Sequence, residues 1–259
     1  MKKLITAVLI LSLAAAAGSA SAATWNYTAL GDSLAYGYGA AGNYGYAERY
    51  RDHLQNDNGV AVQLTNLGVN GWTSSDLLAA LKKNSTYRNA VANSDVVTFD
   101  IGGNDFLNAA EKYIAGTCGG KKNNKCLTKA HKKFKSNFKK IIRLIKKLNK
   151  KDSLILRSMN IYCPNTTFYL NDDFVTNDKY PNDFAIINPV LTKINRLISK
   201  TCRSKKILLA DVHLSYNGSS GTEDPTLKGY IFDDTLHPND AGYQVIADDL
   251  QALGYSAFR

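Results

Sequence analysis

Ser33 is the first residue of the chain whose surroundings suggest chemistry. It lies in the segment Gly31-Asp32-Ser33, directly after residues 27–30, whose apolar character is typical of a β-strand. A serine held at the end of a strand can act as a nucleophile when a base lies beside it. Glycine, aspartate and serine are also common turn formers, so the segment by itself fits an ordinary turn as well. The choice depends on which other residues reach the same place.

Two later segments end in glycine and hydrogen-bonding residues in the same way. The second predicted strand continues into NLGVNGWTSS, which contains Gly71, and the third continues into FDIGGNDF, which contains Asn104. In open parallel sheets the carboxyl ends of the strands meet at one edge, and ligands bind there. We therefore predict that Ser33, Gly71 and Asn104 contribute to one site.

Among the four histidines, His237 has the most suitable neighbour for a catalytic base. It lies in DDTLHPND, three residues after Asp234. An aspartate that accepts a hydrogen bond from one ring nitrogen fixes the tautomer and leaves the other nitrogen free to take a hydroxyl proton. Asp233 is the competing carboxylate, but its offset from the histidine directs it elsewhere. We predict Ser33, His237 and Asp234 as the catalytic residues.

Short apolar runs rich in β-branched residues alternate with helical patterns along the chain. The runs cover residues 27–30, 60–66, 96–101, 153–159 and 206–211. The helical patterns cover residues 46–56, 75–83, 106–114, 183–200 and 239–253, together with the lysine-rich segment described below. This alternation indicates a parallel sheet with helices on both faces. We predict a flavodoxin-like three-layer α/β/α sandwich with strand order 2-1-3-4-5. We expect a single domain over residues 23–259, with long polar loops at 115–127 and 214–230.

The first 22 residues have the composition of a secretory signal peptide. Lys2 and Lys3 precede an apolar run over residues 4–17, and the small residues 18–22 follow. The apolar run is shorter than the ~20 residues that a membrane-spanning helix needs. We predict cleavage after Ala22 and a secreted mature protein, either extracellular or periplasmic.

All four cysteines lie in the predicted mature part of the chain. They are Cys118, Cys126, Cys163 and Cys202. An even number of cysteines in an exported chain favours disulfides over metal binding. Three pairings are possible, and we favour Cys118 with Cys126 and Cys163 with Cys202. No CxxC spacing occurs, which argues against a zinc or redox site.

The formal net charge of +10 falls to +8 without Lys2 and Lys3, and much of the excess lies between Lys121 and Lys151. Apolar residues recur at helical spacing in this segment: Phe134, Phe138, Ile141, Ile145 and Leu148. The pattern predicts an amphipathic helix with a lysine-covered outer face. A solvated face is the simpler interpretation, and weak contact with acidic polysaccharide or anionic lipid headgroups is the alternative. No nucleic-acid-binding motif is present, and we predict a monomer.

Four short blocks of the sequence resemble the SGNH hydrolase superfamily, the GDSL esterases and lipases, and in particular their secreted bacterial branch. The blocks are GDSL at 31–34, the glycine of NGWT at 71, GGND at 102–105 and DTLH at 234–237. They occur in the expected order and span nearly the whole predicted mature chain. The resemblance implies a flavodoxin-like fold and hydrolysis of carboxylic esters without a metal or other cofactor. By motif, Ser33 is the nucleophile, Asp234 and His237 complete the triad, and Ser33, Gly71 and Asn104 form the oxyanion hole.

The same residue types have a physical reason to be together. Attack of a serine oxygen on an ester builds negative charge on the carbonyl oxygen, and preorganised N–H donors stabilise that charge. The expected substrate is a small-molecule, lipid or carbohydrate ester. A carbohydrate acetylesterase and an acyltransferase acting on polysaccharide use the same triad, so both remain alternatives. A non-catalytic module that binds carbohydrate or another surface is the alternative from a different class.

Overall fold

The computed structural model describes residues 23–171 and 182–257. The predicted signal peptide, residues 1–22, lies outside the described residues. Five parallel strands form one sheet in the order β2-β1-β3-β4-β5. The strands are β1 (Thr24–Gly31), β2 (Ala61–Gly68), β3 (Val96–Phe99), β4 (Ile155–Met159) and β5 (Leu208–Ala210). The predicted strand order and the three-layer α/β fold are confirmed.

The helices lie on both faces of this sheet. They are α1 (Ser33–Tyr36), α2 (Tyr46–Asn58), α3 (Ser74–Lys83), α4 (Ser85–Asn93), α5 (Gly103–Ile114), α6 (Lys125–Leu148), α7 (Thr166–Asn171), α8 (Phe184–Ser204), α9 (Val212–Asn217) and α10 (Asp240–Ala252). The sequence patterns did not predict α1, α4, α7 and α9. The last two are single short turns of helix, and α9 extends into the segment that we expected to be a loop.

The side chains of β1 divide between two apolar cores. Tyr27 and Ala29 pack against α2 and α10 on one face of the sheet, whereas Leu30 packs with residues of α3, α4, α6 and α8 on the other. Strands β3 and β4 are buried along their whole length. Burial on both faces is the reason why these strands appear in the sequence as continuous apolar runs.

Helix α6 has the two faces that its sequence predicts. Phe134, Phe138, Ile141 and Ile145 are buried against the sheet, and the lysines and Arg143 on the opposite face are exposed. Among the described residues, no helix has the length and apolar composition needed to cross a bilayer.

Only one of the two predicted disulfides is present. Cys118 and Cys126 are bonded, whereas Cys163 and Cys202 are buried free thiols, so the second predicted pairing is wrong. Cys163 packs with Leu191 near the start of α8, and Cys202 lies near the end of that helix. Leu191 and Cys202 are separated by about 16 Å at the ~1.5 Å rise per residue of a helix. A disulfide needs Cα atoms within about 7 Å of each other.

Candidate active site

Ser33 is presented at the carboxyl edge of the sheet by the tight junction between β1 and α1. Strand β1 ends at Gly31, Asp32 caps the helix, and Ser33 is its first residue. The Asp32 carboxylate accepts a hydrogen bond from the Leu34 N–H at 3.1 Å, as N-cap residues do. Gly31 has φ +155°, and a Cβ there would lie 2.4 Å from Asp100 Oδ1. Glycine is therefore required for the chain to pass Asp100 and place Ser33.

His237 and Asp234 lie in the short loop before α10, and this loop reaches Ser33 across the sheet edge. His237 Nε2 is 2.7 Å from Ser33 Oγ, and His237 Nδ1 is 2.5 Å from Asp234 Oδ2. The other oxygen of Asp234 accepts hydrogen bonds from the backbone N–H groups of Leu236 and His237, at 3.0 and 2.9 Å. Three residues predicted from two separate motifs thus form one hydrogen-bonded network.

The ionisation state of Asp234 decides which ring nitrogen of His237 donates and which accepts. Burial raises the pKa of Asp234, but the hydrogen bonds from the backbone and ring of His237 and from the backbone of Leu236 outweigh that effect and lower the pKa below its ordinary value. An ionised carboxylate only accepts hydrogen bonds, so Nδ1 of His237 is the donor in this pair. In the neutral imidazole Nε2 is then the acceptor, and it faces the Ser33 hydroxyl.

Three tyrosines hold the two segments in position. The Tyr162 hydroxyl donates to the Leu236 carbonyl at 2.8 Å, beside the histidine. The Tyr243 hydroxyl lies 2.7 Å from the Tyr38 carbonyl and 3.4 Å from the Ser33 carbonyl, so it connects α10 to the nucleophile segment. The Tyr38 ring packs against the imidazole, with 4.6 Å between ring centroids. Tyr162 and Tyr243 were not assigned to the site from the sequence, because nothing in their local motifs distinguishes them.

The two other predicted oxyanion-hole residues differ in how they relate to Ser33. Asn104 lines the same cavity as Ser33 and His237, and one N–H of its side-chain amide donates to the Trp72 carbonyl at 3.0 Å. That amide has a second N–H to offer to a ligand. Gly71 precedes Trp72 and is linked to the site through this bond. Its φ of +78° is the left-handed conformation that glycine adopts readily.

A pair of buried carboxyl groups lies beneath the nucleophile. Asp32 and Asp100 are 5% and 3% exposed, and Asp100 Oδ2 accepts a hydrogen bond from the Asp32 N–H at 3.3 Å. The Tyr46 hydroxyl donates to Asp100 Oδ1 at 2.7 Å. Burial, followed by the charge of Asp32, raises the pKa of Asp100 well above its ordinary value, and burial also raises the pKa of Asp32. Each of two neighbouring buried carboxyl groups disfavours ionisation of the other, and the upward shift of the pKa is larger for Asp100. Asp100 was not predicted as part of the site, although it directly precedes the IGGND segment.

An apolar cavity of about 160 Å³ opens beside the Ser33 and His237 side chains. Its walls come from α5, the first turn of α6, the segment after β4 and α8. The polar groups at the site end of this cavity are Asp32, Ser33, Asp100, Asn104, Asn160 and His237. Within the described residues no cluster of three or more His, Cys, Asp or Glu side chains has the arrangement of a metal site.

Comparison with known proteins assigns the chain to a class. A sheet of five parallel strands between helical layers is a three-layer α/β fold, and solved structures of a lipase and of acetylxylan esterases share it. Residues 29–245 match the model of the GDSL-like lipase/acylhydrolase family. The chain belongs to this family and is a carboxylic ester hydrolase, which confirms the resemblance seen in the four motifs.

Three relatives illustrate the range of the similarity. The spore germination lipase LipC of Bacillus licheniformis is 26% identical over 235 residues, which cover 90% of this chain and 97% of LipC. The crystal structure of the lipase Lip_vut3 from a goat rumen metagenome has a TM-score of 0.68 and 25% identity, and covers 91% of this chain and 100% of that one. The acetylxylan esterase Axe2 of Geobacillus stearothermophilus, at 18% identity and a TM-score of 0.61, covers 92% and 98% and shares the fold.

The buried carboxyl pair predicts how stability depends on pH. Because the folded-state pKa of Asp100 is raised, the folded protein holds a proton that the unfolded chain loses above about pH 4. The contribution of Asp100 to stability is therefore complete below that pH, and it is lost as the pH rises toward the folded-state pKa. In Asp100→Asn the site stays neutral, so we expect a flatter dependence of the free energy of unfolding on pH.

Urea unfolding of the wild type and Asp100→Asn between pH 4 and pH 8 measures this difference. The exposed residue Asp152 provides the matched control, since Asp152→Asn removes a carboxylate that is in contact with solvent. Parallel curves for the wild type and Asp100→Asn would show that Asp100 is not protonated in the folded protein.

Proposed function

We propose that this protein hydrolyses carboxylic esters through a Ser33-His237-Asp234 triad and a covalent acyl-enzyme. The observation that supports this most directly is the continuous hydrogen-bonded chain from Ser33 Oγ through both ring nitrogens of His237 to Asp234. The lowered pKa of Asp234 agrees with this proposal, because an ionised Asp234 accepts from His237 Nδ1 and leaves Nε2 as the proton acceptor.

Each step of the reaction uses a group with a defined position. His237 Nε2 takes the proton of Ser33 as Oγ attacks the ester carbonyl carbon, and the C–O bond to the alcohol then breaks as the imidazolium returns that proton to the leaving oxygen. Water attacks the acyl-enzyme with the same proton transfer and releases the acid and free Ser33. Asp234 stabilises the imidazolium in both halves of the cycle.

The negative charge on the carbonyl oxygen needs donors at the nucleophile. We assign the backbone N–H groups of Ser33 and Gly71 and the second N–H of the Asn104 amide to this role. Donors of this kind are preorganised, because the helix start at Ser33, the left-handed backbone at Gly71 and the bond from Asn104 to Trp72 exist before substrate binds.

Removing the nucleophile tests the proposal. Ser33→Ala should lower kcat on p-nitrophenyl butyrate by about 10⁶, because the acyl-enzyme cannot form. Asp234→Asn should lower it by about 10⁴, because an amide stabilises the wrong tautomer of His237. The exposed neighbour Asp233 is the matched control, since Asp233→Asn is expected to retain activity. A Ser33→Ala protein with wild-type turnover would refute the mechanism.

Labelling of Ser33 by a fluorophosphonate distinguishes an enzyme from a non-catalytic binding module.

We also propose that the chain is exported and that residues 1–22 are removed. The support is the order of charged, apolar and small residues at the start of the sequence. Expression in a bacterial host with the native leader should give a secreted or periplasmic protein whose first residue is Ala23. N-terminal sequencing measures this, and a cytoplasmic protein that retains Met1 would contradict it.

We further propose that the lysine-covered face of α6 makes weak contact with anionic surfaces. The exposed cations from Lys121 to Lys151 have few acidic neighbours, and burial together with the charges of Lys205 and Lys206 lowers the pKa of Lys146. Retention on phosphatidylglycerol vesicles should disappear at about 1 M salt, where the screening length is about 3 Å. Replacing Lys132, Lys139 and Lys140 by Glu should abolish it, whereas Lys82→Glu with Lys83→Glu on α3 should not. Retention that salt does not change would contradict this assignment.

A further inference from the structure

One wall of the apolar cavity is a single face of α5. The helix begins at the site with Gly103 and Asn104, and its cavity-lining residues are Phe106, Leu107, Ala110, Tyr113 and Ile114. These positions recur at steps of three and four and therefore share one face. From Asn104 to Ile114 the wall extends about 15 Å away from the nucleophile, at the ~1.5 Å rise per residue of a helix.

The opposite wall is α8, which runs back toward the sheet. Its cavity-lining residues are Ile186, Ile187, Val190, Leu191 and Ile194. Ile186 packs in one cluster with Tyr113 at the far end of α5. Near the sheet edge, the Asn195 side chain exchanges hydrogen bonds with the backbone of Ile161, at 2.9 Å from its N–H and 2.7 Å to its carbonyl. The two helices thus flank the cavity along its length in opposite directions.

The chemistry of these walls selects the occupant. Asn104 and His237 belong to the site end, whereas the two helical walls are hydrocarbon and aromatic, with Asp183 as the charged residue at the start of α8. A sugar or another polar group would lose its hydrogen bonds to water along such a surface. A hydrocarbon chain instead gains about fourfold in binding for each methylene buried. The occupant that fits is the acyl chain of the ester attached at Ser33.

The far end of the cavity is lined by Leu127, the residue after the disulfide-bonded Cys126. Leu127, in the first turn of α6, lines the cavity and belongs to the same cluster as Tyr113, Ile186 and both bonded cysteines. The loop between Cys118 and Cys126 is tied to α5 by Asn123, whose side chain accepts from the Cys118 N–H at 2.9 Å and donates to the Tyr113 carbonyl at 2.8 Å. The Cys126 N–H donates to the Cys118 carbonyl at 3.1 Å.

We propose that Leu127, held in place by the Cys118–Cys126 clamp, forms the end wall of an acyl-chain pocket and determines the longest acyl chain that the enzyme accepts well. This inference rests on the proposed function, because the length of the acyl chain is counted from the acyl group bound to Ser33. It assigns substrates with medium or long hydrocarbon acyl chains. The disulfide then has a role in specificity in addition to stabilising a short loop.

The chain-length profile of kcat/KM measures the end wall. On p-nitrophenyl esters from acetate to palmitate, kcat/KM of the wild type should rise about fourfold per methylene and then stop rising at a cut-off length. Leu127→Trp should move the cut-off to shorter chains, and Leu127→Ala should move it to longer ones. A wild-type enzyme that prefers acetate and shows no rise would overturn the inference, and so would Leu127 variants with the wild-type cut-off.

A variant without the disulfide tests the clamp itself. Cys118→Ser with Cys126→Ser should move the cut-off to longer acyl chains. The ratio of kcat/KM on the palmitate ester to kcat/KM on the butyrate ester should rise about tenfold, which corresponds to one or two further buried methylenes. Cys202→Ala is the matched control, because Cys202 is a buried free cysteine in a different apolar cluster from the clamp and should leave the cut-off unchanged. Circular dichroism confirms folding, and the Leu127 variants decide the question if the double variant does not fold. An unchanged cut-off in a folded double variant would overturn the role of the clamp.

These outcomes are separable from failure of the proposed function. If Ser33→Ala keeps the butyrate activity, the triad is wrong and the chain-length data lose their reference point. If Ser33→Ala is inactive and the wild type hydrolyses acetate alone, the triad stands and the acyl pocket is wrong.

Discussion

The hydrogen bond between His237 Nε2 and Ser33 Oγ joins residues 204 positions apart, and the rest of the site depends on it. Contacts between the elements that carry these two residues also hold them in position. Helix α10, which follows the histidine loop, packs on α2, and Arg49 of α2 bonds Asp240 at 2.7 Å and Gln244 at 3.0 Å. The Tyr243 hydroxyl adds a direct connection to the carbonyls of the nucleophile segment. Helix α10 and the segment that carries Ser33 are therefore packed together, which brings the His237 and Ser33 side chains within hydrogen-bonding distance.

The electrostatics beneath the nucleophile follow from the same convergence. Bringing the β1–α1 junction against the end of β3 buries two carboxyl groups, Asp32 and Asp100, and the Asp100 carboxylate accepts a hydrogen bond from the Asp32 backbone N–H. Burial raises the pKa of both carboxyl groups, and the charge of Asp32 raises that of Asp100 further, so the pair resists carrying two negative charges. The tight fit at Gly31 fixes the distance between the two groups, so backbone geometry and charge are set by the same contact.

Much of this arrangement was predictable from the sequence, for a definable reason. Alternating strands and helices constrain the topology, and parallel strands deliver their carboxyl ends to one edge, so the motifs at Ser33, Asn104 and His237 could be expected to meet. The apolar cavity could not be predicted, because α5 and α8 show the same periodicity whether their inner faces touch each other or leave space. The tyrosine contacts and Asp100 were missed because they depend on side-chain reach between distant elements.

The cysteines show most clearly which features could not be predicted from the sequence. The number of residues between two cysteines does not give the distance between them in the fold. Cys163 packs near the start of α8, whereas Cys202 lies near the end of that helix. Cys118 and Cys126 differ because their loop is short, rich in glycine and lysine, and has little apolar surface of its own. Such a loop cannot be held by burial, so a covalent bond is an efficient way to keep Leu127 in place. The buried thiols, by contrast, lie in apolar clusters, where packing alone positions them.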